Sequence, residues 1–248
     1  MPALNARPAA QLEDWLAEIT EELAAQMERE DIRVAVAEDQ EQVDKVIEAE
    51  ETDHTVDQIL YTDKRGMRKY DHSRMNWLSD VQAEGRAAEQ RLSGELEARM
   101  AELDYDSTCV MLYTSGTTGK PKGVIRSHRG MTLVSFVTEI ELSIGRSDDA
   151  LLVMPMCHAN SLNFFCSFAH CGGVNTIYSR PSFDPEHALS VMEKIGSTFT
   201  SLVPTHYIMM LAAQTSGRKL DLGAMRKMMI SSAPARAETK HAVMEMFP

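Results

Sequence analysis

A run of twelve residues, YTSGTTGKPKGV, constrains the fold of this chain more than any other feature. It spans Tyr113–Val124, after an apolar segment, Cys109–Tyr113, that predicts a buried strand. Its three glycines allow positive φ angles and a close approach of the backbone to a ligand. Successive free N–H groups in such a loop form a concave anion site, and hydroxyls and two lysines add donors and positive charge. The composition therefore indicates a loop that holds a polyphosphate.

The common nucleotide-binding motifs do not fit this loop. Gly116 and Gly119 are too close together for a G-x-x-x-x-G-K-[ST] loop, and Lys120 is followed by Pro121 instead of Ser or Thr. The G-x-G-x-x-G fingerprint is also absent. The alternative is a mobile linker, which fits poorly with the apolar segments on both sides, because loops held between rigid elements commonly carry function.

The loop resembles the signature of the adenylate-forming superfamily, which includes acyl-CoA synthetases, luciferases and peptide-synthetase adenylation domains. That signature is [ST]-S-G-[ST]-T-G-x-P-K-G, and Thr114–Gly123 matches every defined position. The resemblance implies that the loop closes over the β- and γ-phosphates of ATP. It assigns catalytic roles to Lys122, Thr117 and Thr118. The implied ATP contacts on the loop are Thr114, Ser115, Gly116, Thr117, Thr118, Gly119, Lys122 and Gly123.

Three later segments are similar to motifs of the same superfamily. Pro155–His158 matches P-x-x-H, whose histidine lines the acyl pocket; the alternative is a capping histidine at a strand-to-helix turn. Pro204 and Thr205 match a strand-end segment at the substrate pocket, or they form a plain turn. Ser231–Pro234 corresponds to an S-G-G-A-P-like segment against the adenine, although many members have glycine where this chain has serine. The residues implied there are Ser232, Ala233 and Pro234.

The longer runs HANSLNFFCSFAHCGG and YSRPSFDPEHAL are most similar to bacterial long-chain fatty acyl-CoA synthetases. The resemblance implies that a fatty-acid carboxylate reacts with ATP to give acyl-AMP and pyrophosphate, after which CoA displaces AMP. ATP, CoA and Mg²⁺ are the implied co-substrates and cofactor. Two alternatives stay open: adenylation of an aryl or amino acid, and a non-catalytic nucleotide-binding module.

Other parts of the superfamily pattern do not occur in these 248 residues. The Y-G-x-T-E motif with its magnesium-binding glutamate, the ribose-binding aspartate and the mobile C-terminal domain are among them. The resemblance therefore predicts that the chain is an internal piece of a longer synthetase, or the product of a truncated gene, and that it is inactive or nearly so by itself.

The net charge of −12 is unevenly distributed. Residues 1–108 carry 12 basic and 27 acidic side chains, and residues 109–248 carry 13 basic and 10 acidic ones. The loop thus lies in the mildly basic part, which suits an anionic ligand. We predict two parts with this boundary, 1–108 as an acidic partial subdomain and 109–248 as the phosphate-loop and acyl-pocket subdomain. The low isoelectric point and lack of a basic stripe argue against nucleic-acid binding.

The four cysteines form no C-x-x-C pair and sit in or beside apolar runs, which predicts reduced, buried thiols rather than zinc ligands. No apolar run reaches the roughly 18–20 residues of a membrane span, and the N-terminus lacks a signal-peptide pattern. We therefore expect a cytoplasmic protein without a transmembrane segment, and peripheral contact with a membrane stays open.

Strand and helix patterns alternate along the chain, and this alternation predicts an α/β fold with mostly parallel sheet layers and helices on the faces. We expect it to be an incomplete large N-terminal domain of the acyl-CoA synthetase type. Among the more specific signals, Asp184-Pro185 predicts a helix start and Gly196 its end. Residues 32–37 predict a buried strand, and residues 78–103 predict a solvated surface helix.

Overall fold

A computed structural model describes residues 20–50, 56–114, 122–180, 182–216 and 220–247 of the chain. These residues form two compact units. The described part of the first lies within 20–103, and that of the second comprises 104–114 and the described residues from 122 onward.

The first unit is built on a three-stranded parallel sheet with the order β1-β2-β3. Helical residues 20–29 (α1) precede it, and a 3-10 turn lies at Met67–Lys69. Its other elements are β1 (Val34–Ala37), α2 (Gln40–Glu50), β2 (Gln58–Tyr61), β3 (Met75–Trp77) and α3 (Leu78–Ala101).

Local signals explain several of these elements. The Asp39 carboxylate accepts a hydrogen bond from the Gln42 N–H at 3.1 Å, so it caps α2. The core packs Val43 and Ile59, both fully buried, with Met27 from α1. Helix α3 has no buried residue, so the prediction of a solvated surface helix is confirmed.

The prediction that residues 32–37 form a buried strand is wrong in part. Val34 and Val36 on β1 are 51% and 64% exposed, whereas Ala37 on the opposite face is buried. β1 is an edge strand that packs only one face, and an apolar run alone does not tell one covered face from two.

The second unit contains a two-stranded antiparallel hairpin, β4 with β5, and a four-stranded parallel sheet with the order β7-β6-β8-β9. Its strands are β4 (Thr108–Thr114), β5 (Lys122–Ser127), β6 (Asp149–Leu152), β7 (Val174–Ile177), β8 (Phe199–Leu202) and β9 (Lys227–Ile230). Its helices are α4 (His128–Leu142), α5 (Ala159–Cys171), α6 (Pro185–Ile195), α7 (Pro204–Ser216) and α8 (Ala237–Met246).

Helices cover both faces of the parallel sheet. Successive side chains along a strand point to opposite faces, and each face packs into its own apolar core. Ala150 and Leu152 of β6 pack with Phe168 of α5, whereas Leu151 packs on the other face with Leu189 of α6 and Tyr207 of α7. The predicted α/β fold with parallel layers is thereby confirmed.

The caps of α6 follow the sequence signals. The Asp184 carboxylate accepts from the His187 N–H at 3.0 Å, Pro185 occupies the first turn, and Gly196 ends the helix at φ 62°. A left-handed C-cap of this kind strongly favours glycine.

The cysteine prediction is wrong for two of the four residues. Cys109 and Cys157 are exposed, and Cys166 and Cys171 are half-buried. Cys109 lies near the start of β4, in a sheet of only two strands that leaves its side chain exposed. Cys157 lies in the turn before α5. Burial raises the pKa of the Cys166 thiol, which keeps it protonated.

Within the residues that the structure describes, no helix is both long and apolar enough to cross a membrane. The same residues contain no group of three or more His, Cys, Asp or Glu side chains that could hold a metal ion.

Candidate functional site

The order of the parallel strands defines where a ligand can bind. From β6 the chain passes through α5 to β7 on one side, then through α6 to β8 on the other side of β6. The connections leaving β6 and β8 therefore diverge, and a crevice opens between the carboxyl ends of these two strands. In open α/β sheets ligands bind outside the carboxyl ends of the strands at such a switch point.

Three of the predicted segments follow the carboxyl ends of β6, β8 and β9. His158 ends the turn after β6, and Pro204 and Thr205 begin α7 directly after β8. Ser231 follows β9, with Ser232, Ala233 and Pro234 behind it, all three exposed. The fold thus brings together, at one edge of the sheet, residues that are up to 76 positions apart in the sequence.

His158 occupies the N-cap position of α5, but its side chain makes no capping hydrogen bond. Its backbone N–H donates to the Pro155 carbonyl at 3.0 Å, and the residue is exposed at the edge of the sheet. The capping role that the sequence left open is therefore not what the imidazole performs. The imidazole is exposed beside the switch point.

Sequence reasoning missed the polar side chain that ties this edge together. The Asn160 amide nitrogen donates to Ser201 Oγ at 2.8 Å and to Ser231 Oγ at 2.9 Å. One side chain on the first turn of α5 thereby joins the ends of β8 and β9. Ser161 next to it is buried and donates to the Met154 carbonyl at 2.6 Å. The signal in the sequence was the adjacent polar pair Asn160 and Ser161 at the start of a largely apolar helix.

An aromatic pair flanks the same edge beside Thr205. The His206 ring stacks on Phe183 with centroids 4.1 Å apart. Burial lowers the pKa of His206, so this imidazole is neutral near pH 7, and its buried Nδ1 has no hydrogen-bond partner among the described residues. Phe183 also packs against the core that contains Leu189 and Tyr207.

The flanks of the glycine-rich loop pair with each other in the β4–β5 hairpin. Thr114 pairs with Lys122 and Tyr113 pairs with Gly123, and Lys122 is exposed. The remaining predicted loop residues, Ser115, Gly116, Thr117, Thr118 and Gly119, lie outside the described residues.

Gly123 has a packing reason to be glycine. A Cβ built at this position would lie 2.9 Å from Met111 Sδ and 3.1 Å from Tyr113 Cζ, because both side chains fold over its backbone. Cross-strand packing of an aromatic ring over glycine stabilises a hairpin and fixes its register. The register in turn fixes where the two ends of the loop leave the strands.

Comparison with known proteins agrees with this architecture. The chain belongs to the AMP-binding enzyme family, since the model of that family matches residues 19–248. A feruloyl-CoA synthase of Amycolatopsis sp is 32% identical over 151 residues, which are 59% of this chain and 30% of that protein. A long-chain-fatty-acid–CoA ligase of Thermus thermophilus is 30% identical over 157 residues, 61% of this chain and 28% of that ligase. The chain thus spans about a third of the length of the curated relatives it matches.

Solved structures show the same fold at lower identity. The anthranilate-CoA ligase AuaEII, solved with anthranoyl-AMP, aligns with a TM-score of 0.70 at 17% identity. ATP-bound MatB of Rhodopseudomonas palustris aligns with a TM-score of 0.65 at 21% identity. Each alignment covers 92% of this chain and 41% of the solved one. The chain accordingly has the fold of adenylate-forming enzymes.

Proposed function

We propose that this chain carries the phosphate loop and acyl pocket of an acid–CoA ligase, which activates a carboxylic acid with ATP and transfers it to CoA. The observation that carries the proposal is the meeting of three motif segments at one switch point. Family membership supports the general ligase class, and the names of the relatives support transfer to CoA.

The proposed reaction has two steps. A carboxylate oxygen attacks the α-phosphorus of ATP and the bond to pyrophosphate breaks; the CoA thiolate then attacks the acyl carbon and AMP leaves. The carboxylate and the triphosphate are both anions and repel each other. In the first step Lys122 and the loop N–H groups offset that repulsion and stabilise the charge that builds on pyrophosphate. Loss of one such donor costs about 100- to 1000-fold in rate.

We assign the other groups of the edge by their positions. His158 lies where the reacting carboxylate enters between β6 and β8, and Pro204 and Thr205 form the wall on the β8 side. The segment from Ser231 to Pro234 carries the adenine side of the ATP site. Asn160 holds the wall and this segment in register through Ser201 and Ser231.

The described residues contain no group of three or more His, Cys, Asp or Glu side chains that could hold a metal ion, and the proposed steps assign no residue to Mg²⁺.

We propose a fatty acid as the acyl donor, because no aspartate side chain stands in the turns after β6 and β8 to hold an ammonium group. An aryl acid is the second candidate. The polar trio of Asn160, Ser201 and Ser231 favours it, since a ring hydroxyl can exchange hydrogen bonds with these groups. Relatives named for feruloyl- and coumarate-CoA synthesis also support it.

The acyl group can be tested by ligand-observed NMR with the 248-residue chain and a non-hydrolysable ATP analogue. Octanoate, 4-coumarate and phenylalanine serve as probes. We expect saturable octanoate binding that needs the nucleotide and that weakens in His158→Ala. A matched control, His128→Ala at the start of α4, should leave it unchanged. Saturable binding of 4-coumarate alone would replace the fatty acid with the aryl acid, and binding of phenylalanine alone would reject both.

A further inference from the structure

A dense group of cations stands out in the acidic part of the chain. Residues 63–74 contain five of the twelve Lys and Arg residues of positions 1–108. Four of the five line one cavity of about 810 Å³ in the first unit, and no carboxylate is among the lining residues. The lining consists of Tyr61, Lys64, Arg65, Gly66, Met67, Arg68, Lys69 and His72.

The cations of this basic cavity differ in how far they are neutralised. Arg65 Nε donates to Asp63 at 2.7 Å, and Lys64 Nζ stands 3.4 Å from the centre of the Trp77 ring. Arg68 and Lys69 are exposed, and neither has a carboxylate within ion-pair distance among the described residues. Two full charges are therefore available to an external anion.

The segment that presents these charges is held firmly. Met67 is buried in the core of the unit, and the Tyr70 hydroxyl bonds to the Asp44 carboxylate. Gly66 has φ +80°, in the left-handed region that favours glycine, so the turn before Met67 is a defined one. Because the backbone on both sides of Arg68 and Lys69 is fixed, an anion would bind without ordering a loop first, which favours affinity.

We propose that the basic cavity binds a phosphate-bearing anion, either a free phosphate ester or a phospholipid head group. Crowded like charges repel one another and favour a bound counter-charge. Arginine and lysine together match phosphate oxygens through charge-assisted hydrogen bonds. None of the lining residues belongs to the loop at 114–123, so this proposal does not depend on the proposed function.

The experiment compares two double variants that remove the same charge. The cavity variant combines Arg68→Gln with Lys69→Gln and so removes the two cations without an ion-pair partner. The control combines Arg86→Gln with Arg91→Gln and removes two exposed cations from α3. Both are made in a Lys122→Ala background to suppress binding at the other loop. Adenosine 3′,5′-bisphosphate is titrated calorimetrically, and phosphatidylcholine vesicles with and without phosphatidic acid are tested by flotation.

We expect about tenfold weaker binding in the Arg68/Lys69 variant and little change in the Arg86/Arg91 control, with affinity that falls as salt rises. Binding of the bisphosphate assigns a free phosphate ester, and binding of phosphatidic acid vesicles assigns a lipid head group. Equal losses in the two variants, or no binding of either probe to the parent, would overturn the proposal. Melting temperatures that do not fall in the cavity variant exclude unfolding as the cause.

Discussion

At the scale of single residues, Ser232 is the most informative position of the candidate site. It has φ 65°, in the left-handed region that glycine adopts readily and other residues adopt at a cost of about 1–2 kcal/mol. Many members of the superfamily have glycine at this place. The geometry gives the reason, because the chain must turn sharply as it leaves β9.

Replacing Ser232 with glycine should therefore stabilise the protein. We expect Ser232→Gly to raise the free energy of unfolding by about 0.5–1 kcal/mol, since relief of the strain exceeds the extra entropy of the unfolded chain. Ser231→Gly is the matched control and should lower it, because Ser231 accepts a hydrogen bond from Asn160 and has no positive φ. Urea unfolding measures the free energy of unfolding of both variants. A Ser232→Gly protein that is less stable than the wild type would contradict the proposed backbone strain at Ser232.

Residue roles that depend on a motif were visible in the sequence, but roles that depend on contact were not. His158 could be singled out from the P-x-x-H pattern alone. The part played by Asn160 depends on Ser201 and Ser231, which lie 41 and 71 positions away. No local pattern encodes that meeting, since it requires the order of the strands.

At the scale of elements, a buried carboxylate fastens the amino ends of the parallel strands. Asp148 before β6 accepts from Thr198 Oγ1 at 2.8 Å, from the Gly145 N–H at 2.9 Å and from Arg226 at 2.7 Å. Lys227 lies 3.4 Å away. Burial by itself raises the pKa of this carboxyl, but Thr198, Gly145 and the two cations together hold it below its ordinary value. The contacts join three strand starts on the side opposite the candidate site.

This arrangement predicts how stability depends on pH. Because the folded-state pKa of Asp148 is depressed, its contribution is complete above the unfolded value of 3.8 and is lost as pH falls through the folded value. We expect Asp148→Asn to lower the free energy of unfolding by about 1–3 kcal/mol at pH 7. The difference from the wild type should shrink below pH 3.8. Urea titrations along a pH series measure it, and a constant difference would contradict the assignment.

The neighbouring Asp149 is a control, because its pKa is shifted in the opposite direction. Burial raises its pKa, and the hydrogen bond from Thr176 opposes the shift only in part. Its ionised form therefore weakens the fold as pH rises through the folded value. We expect Asp149→Asn to be at least as stable as the wild type at pH 7. The same loss in both variants would mean that neither pKa shift governs stability.

Elements with local signals were predictable, and elements made by distant pairing were not. The start and end of α6 follow from Asp184, Pro185 and Gly196, whose effects act within one helical turn. The strand β5 contains only two adjacent apolar residues, Val124 and Ile125, too few for a strand pattern, and it exists through pairing with β4. Met75–Trp77 was missed as β3 for the same reason, since charged residues precede it and β2 supplies its partner.

At the scale of the whole molecule, two compact units carry different charge and different candidate sites. The first holds the basic cavity, and the second holds the hairpin, the doubly covered parallel sheet and its switch point. The alternation of strands and helices was enough to predict the class of fold. Strand order was not predictable in this way, because it arises from packing the two apolar faces of β6 and β8 against different helices.

The proposed function requires that the loop flanked by Thr114 and Lys122 binds the phosphates of ATP. Isothermal titration of ATP into the wild-type chain, Lys122→Ala and the control Lys240→Ala tests it most directly. Lys240 is an exposed lysine on α8, so its removal makes the same change in charge. We expect saturable binding that weakens about tenfold or more in Lys122→Ala, because one charge-assisted contact is lost, and that stays unchanged in Lys240→Ala. Equal affinities for all three proteins, or no ATP binding by the wild type, would contradict it.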